Sequence, residues 1–322
     1  MIHKKFIPLI ITFALFIVLF GIGSVQFEGF GSARVFFNLL SDNAFLIIAA
    51  IGMTFVILSG GIDLSVGAVI ALTGVIASVL ITEYHWSPLW VFPTVLILGT
   101  IFGSLMGAII HYYSIQPFIV TLAGMFFARG LASVISEESI PIEHDFYNQV
   151  SAFGFEILDG AWIGSSTIIC IIVLILAMLL AHYSRFGGRV YAIGGDAKSA
   201  ALMGVPIAST TIGIYALSSF LATLAGIVYS FYTFSGYSLA AVGMELDAIA
   251  AVVIGGTLLT GGKGYVLGTL IGVLIMGVVQ TYISFDGNLS SWWTKIVIGV
   301  LLFAFIALQQ LLSMQGKQKS AH

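Results

Sequence analysis

Few side chains in this sequence could bind, charge or move a polar molecule, and most of them fall in three short stretches. The first is Leu58-Ser59-Gly60-Gly61-Ile62-Asp63-Leu64-Ser65-Val66-Gly67. Two adjacent glycines break one apolar run, and Asp63 and Ser65 stand where the next begins. A carboxylate at a helix start meets free backbone N–H groups and the positive end of the helix dipole. The stretch therefore reads as a capped turn or as a gate or hinge beside a pathway, since an Asp at the edge of an apolar layer needs a partner in either case. Its candidate pathway residues are Gly60, Gly61, Asp63 and Ser65.

The second stretch is Gly243-Met244-Glu245-Leu246-Asp247, placed at the outer end of a short apolar segment. Glu245 and Asp247 either cap that segment or offer hydrogen bonds to an entering solute. Arg129, near the end of its own segment, either pairs with one of these acids or snorkels to headgroups. The third stretch runs from Ser184 to about Thr210. Gly194 and Gly195 lead into Asp196, which can N-cap a short helix from Ala197 to Met203, stopped by Gly204 ahead of Pro206. Ala197, Ala200 and Ala201 give it small side chains beside Lys198. It reads as a docking helix for a cytoplasmic partner, with Ala200 facing that partner's groove, or else as a plain linker.

Other chemistries find no support. The single cysteine, Cys170, lies in an apolar run, so there is no disulfide framework or thiolate metal site. The six histidines never fall at metal-ligand spacing. No G-x-x-x-x-G-K-[ST] loop occurs, so the chain cannot bind and hydrolyse ATP by that device, and no H-E-x-x-H or G-x-S-x-G marks an intramembrane enzyme. No basic stripe suggests nucleic acid. The expectation is a transport chain with no catalytic residue, no bound cofactor and no metal.

What positions the three stretches is a membrane. Apolar residues are 59% of the chain and charged residues only 8%, too few to solvate the surface of a soluble domain of 322 residues. Apolar segments lie at about 6–25, 43–59, 64–82, 89–113, 117–135, 162–183, 211–234, 246–260, 265–284 and 292–312. Several approach or exceed the ~20 residues a bilayer requires, whereas 43–59 and 246–260 are short, and 246–260 or the join between 43–59 and 64–82 could be re-entrant. The first, behind Lys4 and Lys5, reads as an uncleaved anchor. Ten crossings from a cytoplasmic start leave both termini inside. Arg185, Arg189, Lys198, Lys263, Lys317 and Lys319 then fall inside as well. Glu137, Glu138, Glu143, Asp145, Glu156 and Asp159 crowd an outer loop at 136–161, and all five tryptophans fall at outer ends. The fold expected is an all-α polytopic membrane protein, one transmembrane domain over 1–322, with about ten helices, some short or broken. Its long inner loop is about 184–210. Gly99, Gly103 and Gly107, and Gly264, Gly268 and Gly272, form two stripes suited to close helix packing. A weak internal echo pairs Leu58-Ser59-Gly60-Gly61 with Leu259-Thr260-Gly261-Gly262.

On these stretches the chain resembles the permease subunits of ribose-type bacterial sugar ABC importers. The resemblance rests on Gly52 through Gly67, on Tyr191-Ala192-Ile193-Gly194-Gly195-Asp196, and on Glu245-Leu246-Asp247-Ala248 through Gly255-Gly256-Thr257. It covers about residues 30–312. Ser136-Glu137-Glu138-Ser139-Ile140-Pro141-Ile142, Phe285-Asp286-Gly287 and Leu289 through Lys295 resemble the galactofuranose-importing branch, in which two different permeases pair. Asp196 departs from the family, which usually has Asn there; capping stays possible. The resemblance implies a multi-pass chain of the bacterial inner membrane. It implies a cytoplasmic ABC ATPase, a second permease and a periplasmic sugar-binding protein as partners, and the docking role of the helix after Asp196. The rival expectation is a stand-alone secondary transporter or channel. It would need ionisable groups at mid-membrane, and Asp63, Arg129, Glu245, Asp247 and Lys295 all lie near segment ends.

Overall fold

A computed structural model describes residues 7–158, 160–290 and 292–319, with side chains over 8–308 of these. Lys4, Lys5 and Asp159, on which the charge sorting also drew, lie outside the described residues. In chain order the elements are α1 (Ile7–Gln26), α2 (Ala33–Asp42), α3 (Ala44–Leu58), α4 (Val66–Thr82), α5 (Pro88–Tyr112), α6 (Pro117–Ile135), β1 (Ile140–Pro141), α7 (Asp145–Ala152), β2 (Gly154–Leu158), β3 (Ala161–Gly164), α8 (Ser165–Tyr183), α9 (Arg185–Gly195), α10 (Ala197–Leu202), α11 (Ile207–Thr233), β4 (Ser235–Gly236), α12 (Met244–Ile254), α13 (Val266–Asp286) and α14 (Trp292–Lys319).

Each of the ten apolar segments holds a helix, but they are not equal. Among the described residues, six are long and apolar enough to cross a bilayer: α1, α5, α6, α8, α11 and α13. Taken together, α2 and α3, bent by 57° at Asn43, would make a seventh. α4 has 17 residues and α12 only 11, so α12 at a 1.5 Å rise spans roughly half a bilayer. The expectation of an all-α chain is also corrected. β1 pairs with β4, and β2 with β3, both antiparallel, and α7 lies between them in sequence. This small cap occupies the 136–161 stretch that composition suggested was a loop.

α3 is the centre of the bundle. Its sequence is apolar on every face, and all but Phe45 of its residues are buried, as expected of a helix surrounded by others. The glycine stripes work as packing surfaces. A Cβ on Gly99 would run into Thr223, and one on Gly103 or Gly107 into the α11 backbone at Tyr215 or Ile212. The second stripe seats α13 on α12, with Gly268 against the Gly255 carbonyl and Gly272 against that of Ala251. Lipid tails are as apolar as these side chains, so close backbone approach and interhelical hydrogen bonds hold the bundle. The buried Thr54–Thr269 bond of 2.7 Å between α3 and α13 is one of them, of a kind worth about 0.5–2 kcal/mol.

The bundle has two distinct ends. At one, the start of α1, the ends of α3 and α12, α9, α10 and the start of α13 come together: Pro8 meets Gly256, Leu9 meets Gly268, and Leu58 meets Gly194 and Gly262. Arg185, Arg189, Lys198 and Lys263 belong to this α10 end. At the other, Thr82 donates to Pro141, Tyr147 of α7 bonds Ser230 of α11, and Tyr282 donates to Gln26. The acids at 137, 138, 143, 145 and 156 belong to this capped end.

Candidate translocation site and coupling loop

The α3–α4 break is built around Asp63. α3 ends in Ser59, Gly60 and Gly61, with Gly60 at φ +84°, a conformation that an L side chain rarely adopts. The chain then runs without helix to Ser65. Asp63 is fully buried. Its Oδ1 accepts from the Ser65 backbone N–H at 2.9 Å and the Ser65 hydroxyl at 2.6 Å, an Asx turn. Its Oδ2 accepts from Ser218 of α11 at 2.7 Å. The expected cap is therefore reassigned: Ser65 makes no side-chain cap of its own, and Asp63 binds the start of α4 while clamping it to α11. Three buried hydrogen bonds, each contributing about 0.5–1.5 kcal/mol, fasten this turn. The two glycines differ in crowding. A Cβ on Gly60 meets only the Thr260 carbonyl at 3.7 Å, whereas one on Gly61 would collide with the Tyr215 hydroxyl.

The second site lies deeper than its sequence position suggested. The chain leaves α11 at the capped end and dips back between helices. Gly236 packs on Gly74 and Ser78 of α4, and further along the dip Ala241 and Glu245 reach Gly67. Gly67 is in the first turn of α4, roughly 22 Å along that helix from Thr82 at the capped end. Glu245 is thus not at the outer rim, and α12 starts inside the bundle. Arg129 does not snorkel. Its Nη1 donates to the carbonyls of Ser238 and Ala240 at 2.7 and 2.6 Å, pinning the dipping segment to α6, with Glu245 within electrostatic reach. Glu245 Oε2 is buried and has no hydrogen-bond partner. Asp247 pairs with Lys295 of α14 at 2.7 Å.

Above this segment opens a vestibule of about 880 Å³. Asn38 and Asp42 of α2, Phe45, Tyr229, Tyr232, Asp247, Gln280 and Thr281 line it. It extends down α4 as far as Ile70, one turn short of Gly67. Phe45 meets Tyr229 edge-on at 5.0 Å. No lysine, arginine or histidine lines it among the described residues. Apart from Asp247, these residues went unnoticed in the sequence because they come from separate helices, α2, α3, α11 and α13. A signal existed only in their type: Asn, Gln and Tyr near the ends of otherwise apolar runs.

The stretch after Ser184 is more ordered than a loop. α9 was masked in the sequence by Gly187-Gly188 and Gly194-Gly195, yet Ser184 Oγ caps it by accepting from Gly187 N–H at 3.0 Å. Gly187 is required because a Cβ there would strike the Ala181 carbonyl. α10 follows as predicted. Asp196 Oδ1 accepts from Ser199 N–H at 2.6 Å, and Gly204 (φ +81°) closes it, with Val205 N–H bonding Ala200 and Gly204 N–H bonding Ala201. That Ser199 bond holds the Asp196 carboxyl below the ordinary carboxylate range. The cap is therefore charged at neutral pH and is lost only as pH falls through the lowered value. One expectation fails: Ala200 faces inward and is fully buried in this chain. The outward face carries Ala197, Lys198 and Ala201, then Leu202 and Met203, 90% and 72% exposed.

The family described as branched-chain amino acid transport system / permease component matches over residues 35–306. The chain is similar to the inner membrane ABC transporter permease protein YjfF of Escherichia coli (strain K12), 58% identical over 95% of this chain and 93% of that protein. It is similar to the fructose import permease protein FruG of Bifidobacterium longum (strain NCC 2705), 38% identical over 98% of this chain and 94% of that protein. It is also similar to the ribose import permease protein RbsC of Escherichia coli (strain K12), 38% identical over 89% and 88%. No solved structure matches the chain.

Proposed function

The chain belongs to the branched-chain amino acid transport system permease family, and from that premise we propose that it is the translocating subunit of an ABC importer for a neutral sugar. It is a transport component and not an enzyme, a multi-pass protein of the inner membrane. The vestibule carries the choice of substrate class. An amino acid brings a carboxylate that needs a cation in a low-dielectric site, and the described lining offers none, Lys295 being held by Asp247. Amide, hydroxyl and aromatic groups suit hydroxyls and the apolar faces of a sugar ring. The relatives named for ribose and fructose import agree. The narrower substrate we propose is galactofuranose, on the resemblance at 136–142 and 285–295. The partners proposed are a cytoplasmic ABC ATPase, which uses the ATP, a periplasmic sugar-binding protein, and a second, different permease. Vesicles reconstituted with these partners should accumulate labelled sugar only with ATP inside the ATPase compartment, and galactofuranose should compete with the label. ATP-independent uptake would instead favour the stand-alone transporter, and leucine uptake would overturn the substrate class.

We further propose ten membrane segments with both termini cytoplasmic, α12 and the dipping segment before it together filling one of them. Glu143 and Lys198 are exposed at opposite ends of the bundle. Single cysteines there should label from opposite faces, Glu143→Cys from the periplasm and Lys198→Cys only after the inner face is opened. Labelling of both in intact cells would refute the orientation.

A further inference from the structure

Three Gly-Gly pairs from separate parts of the chain meet at the α10 end. Gly60 and Gly61 follow α3, Gly194 and Gly195 close α9, and Gly261 and Gly262 lie in the turn after α12. Gly262 N–H donates to the Leu58 carbonyl at 2.9 Å, so the two turns are bonded to each other. Gly194 is wedged between them: a Cβ there would overlap the same Leu58 oxygen and come within 2.5 Å of Gly262 N. A Cβ on Gly261 would lie 2.8 Å from Gly60 N and 3.0 Å from Gly194 Cα. The Tyr191 hydroxyl, one turn back on α9, donates to Gly264 at 2.8 Å and ties the same elements again.

We propose that this junction transmits displacement of α10 to both turns at once, and through α12 to the vestibule. This rests on the reading of α10 as the ATPase dock. Only Asp196 separates α9 from α10, and both ends of α10 are capped. A push on α10 therefore arrives at Gly194. Between Gly194 and the two turns lies backbone alone, with no rotamer to absorb the movement. From Leu58 the chain leads to the Asp63–Ser218 clamp on α11. From Gly262 it leads back through the turn to α12, whose first turn supplies Met244 and Asp247 to the vestibule. An 11-residue helix connecting the junction to the vestibule acts as a rod. The internal echo acquires a role here: the two similar Gly-Gly turns are the two surfaces that grip Gly194.

The test uses the complete importer in vesicles with two alanine variants. Gly194→Ala should keep the ATPase subunit on co-purification and keep hydrolysing ATP. Sugar taken up per ATP should fall about 5- to 150-fold, the span of ordinary coupling free energies. Gly188→Ala, on the exposed side of α9 and outside the junction, is the control, because nothing lies within 4 Å of its Cβ; its ratio should match the parent. An unchanged ratio in Gly194→Ala overturns the proposal, and so does loss of the ATPase from that variant, which would make the junction part of the dock. Should Gly194→Ala fail to accumulate, amide exchange in the unmutated complex decides. Exchange over 258–263 and 190–196 should change together when an ATP analogue binds, and no change overturns the proposal. A parent permease that retains no ATPase at all would instead refute the docking assignment.

Discussion

Replacing Leu202 and Met203 together by aspartate should leave the permease in the membrane and strip it of its ATPase subunit. Both side chains project from a helix that is fixed at both ends, by the Asp196 cap and by the Gly204 turn. Their exposure, 90% and 72%, leaves two large apolar groups uncovered at the α10 end of the bundle, where Lys198 also stands exposed. Burying such side chains contributes about 1.5–3 kcal/mol each, and interface anchors of that size often account for most of an interaction. Affinity for the ATPase should therefore drop roughly 10²- to 10⁴-fold, and uptake with it. Ala200→Glu is the instructive contrast. Ala200 is sealed inside this chain, so a carboxylate there would be buried without a partner and should disturb α10 itself, seen as protease sensitivity before any binding is measured. Retention of the ATPase by the double aspartate variant would move the dock elsewhere.

Asp63 should prove indispensable as an acceptor and dispensable as a charge. Asp63→Leu leaves the Ser65 N–H, the Ser65 hydroxyl and the Ser218 hydroxyl unpaired in a site with no exposure. Each abandoned buried donor costs about 1–3 kcal/mol, and the α4–α11 clamp is lost besides. Little folded protein should reach the membrane. Asp63→Asn keeps an oxygen for Ser65, and its amide can donate to Ser218, whose hydroxyl can turn to accept. That variant should accumulate and transport within about threefold of the parent, since an exchange of neutral hydrogen bonds costs near 0.5–1.5 kcal/mol at most. Uptake assays on matched amounts of membrane protein separate the cases. An Asn variant that accumulates but does not transport would show that the carboxylate charge is used in the cycle, as a gate would require.

The sequence showed the long spans and the α10 caps because each is written locally, in hydropathy and in an Asp or Gly at a fixed place. The two stripes of glycine, likewise, declared close packing before any partner helix was known. What could not be read was direction. Leu202 and Ala200 are two residues apart on α10, and only the arrangement of α9, α11 and α10 decides that one is outside and the other inside. Depth was hidden for a related reason. Glu245 opens a helix, which composition places at a membrane surface. The segment from Ser235 to Gly243 instead descends, because Gly67 and Gly74 leave α4 bare enough to receive it and Arg129 satisfies two of its carbonyls. The vestibule was least visible of all, since Asn38, Tyr229 and Gln280 are far apart in sequence and converge only through the bundle.

Thr12 sets a waiting time for synthesis. Its hydroxyl donates to the Ile254 carbonyl at 2.8 Å, 242 residues away, and this contact fastens α1 to the end of α12. At 5–20 residues per second a ribosome needs roughly 10–50 s to deliver that partner. Through that interval α1 must sit in lipid without its neighbour, and a bare hydroxyl there would invite wrong pairings with other nascent helices. The same hydroxyl lies 3.0 Å from the Pro8 carbonyl one turn back on its own helix. Proline at that position still offers its carbonyl, so α1 carries a temporary acceptor of its own. α1 is thus chemically self-contained until α12 arrives, and the order of translation need not match the order of assembly.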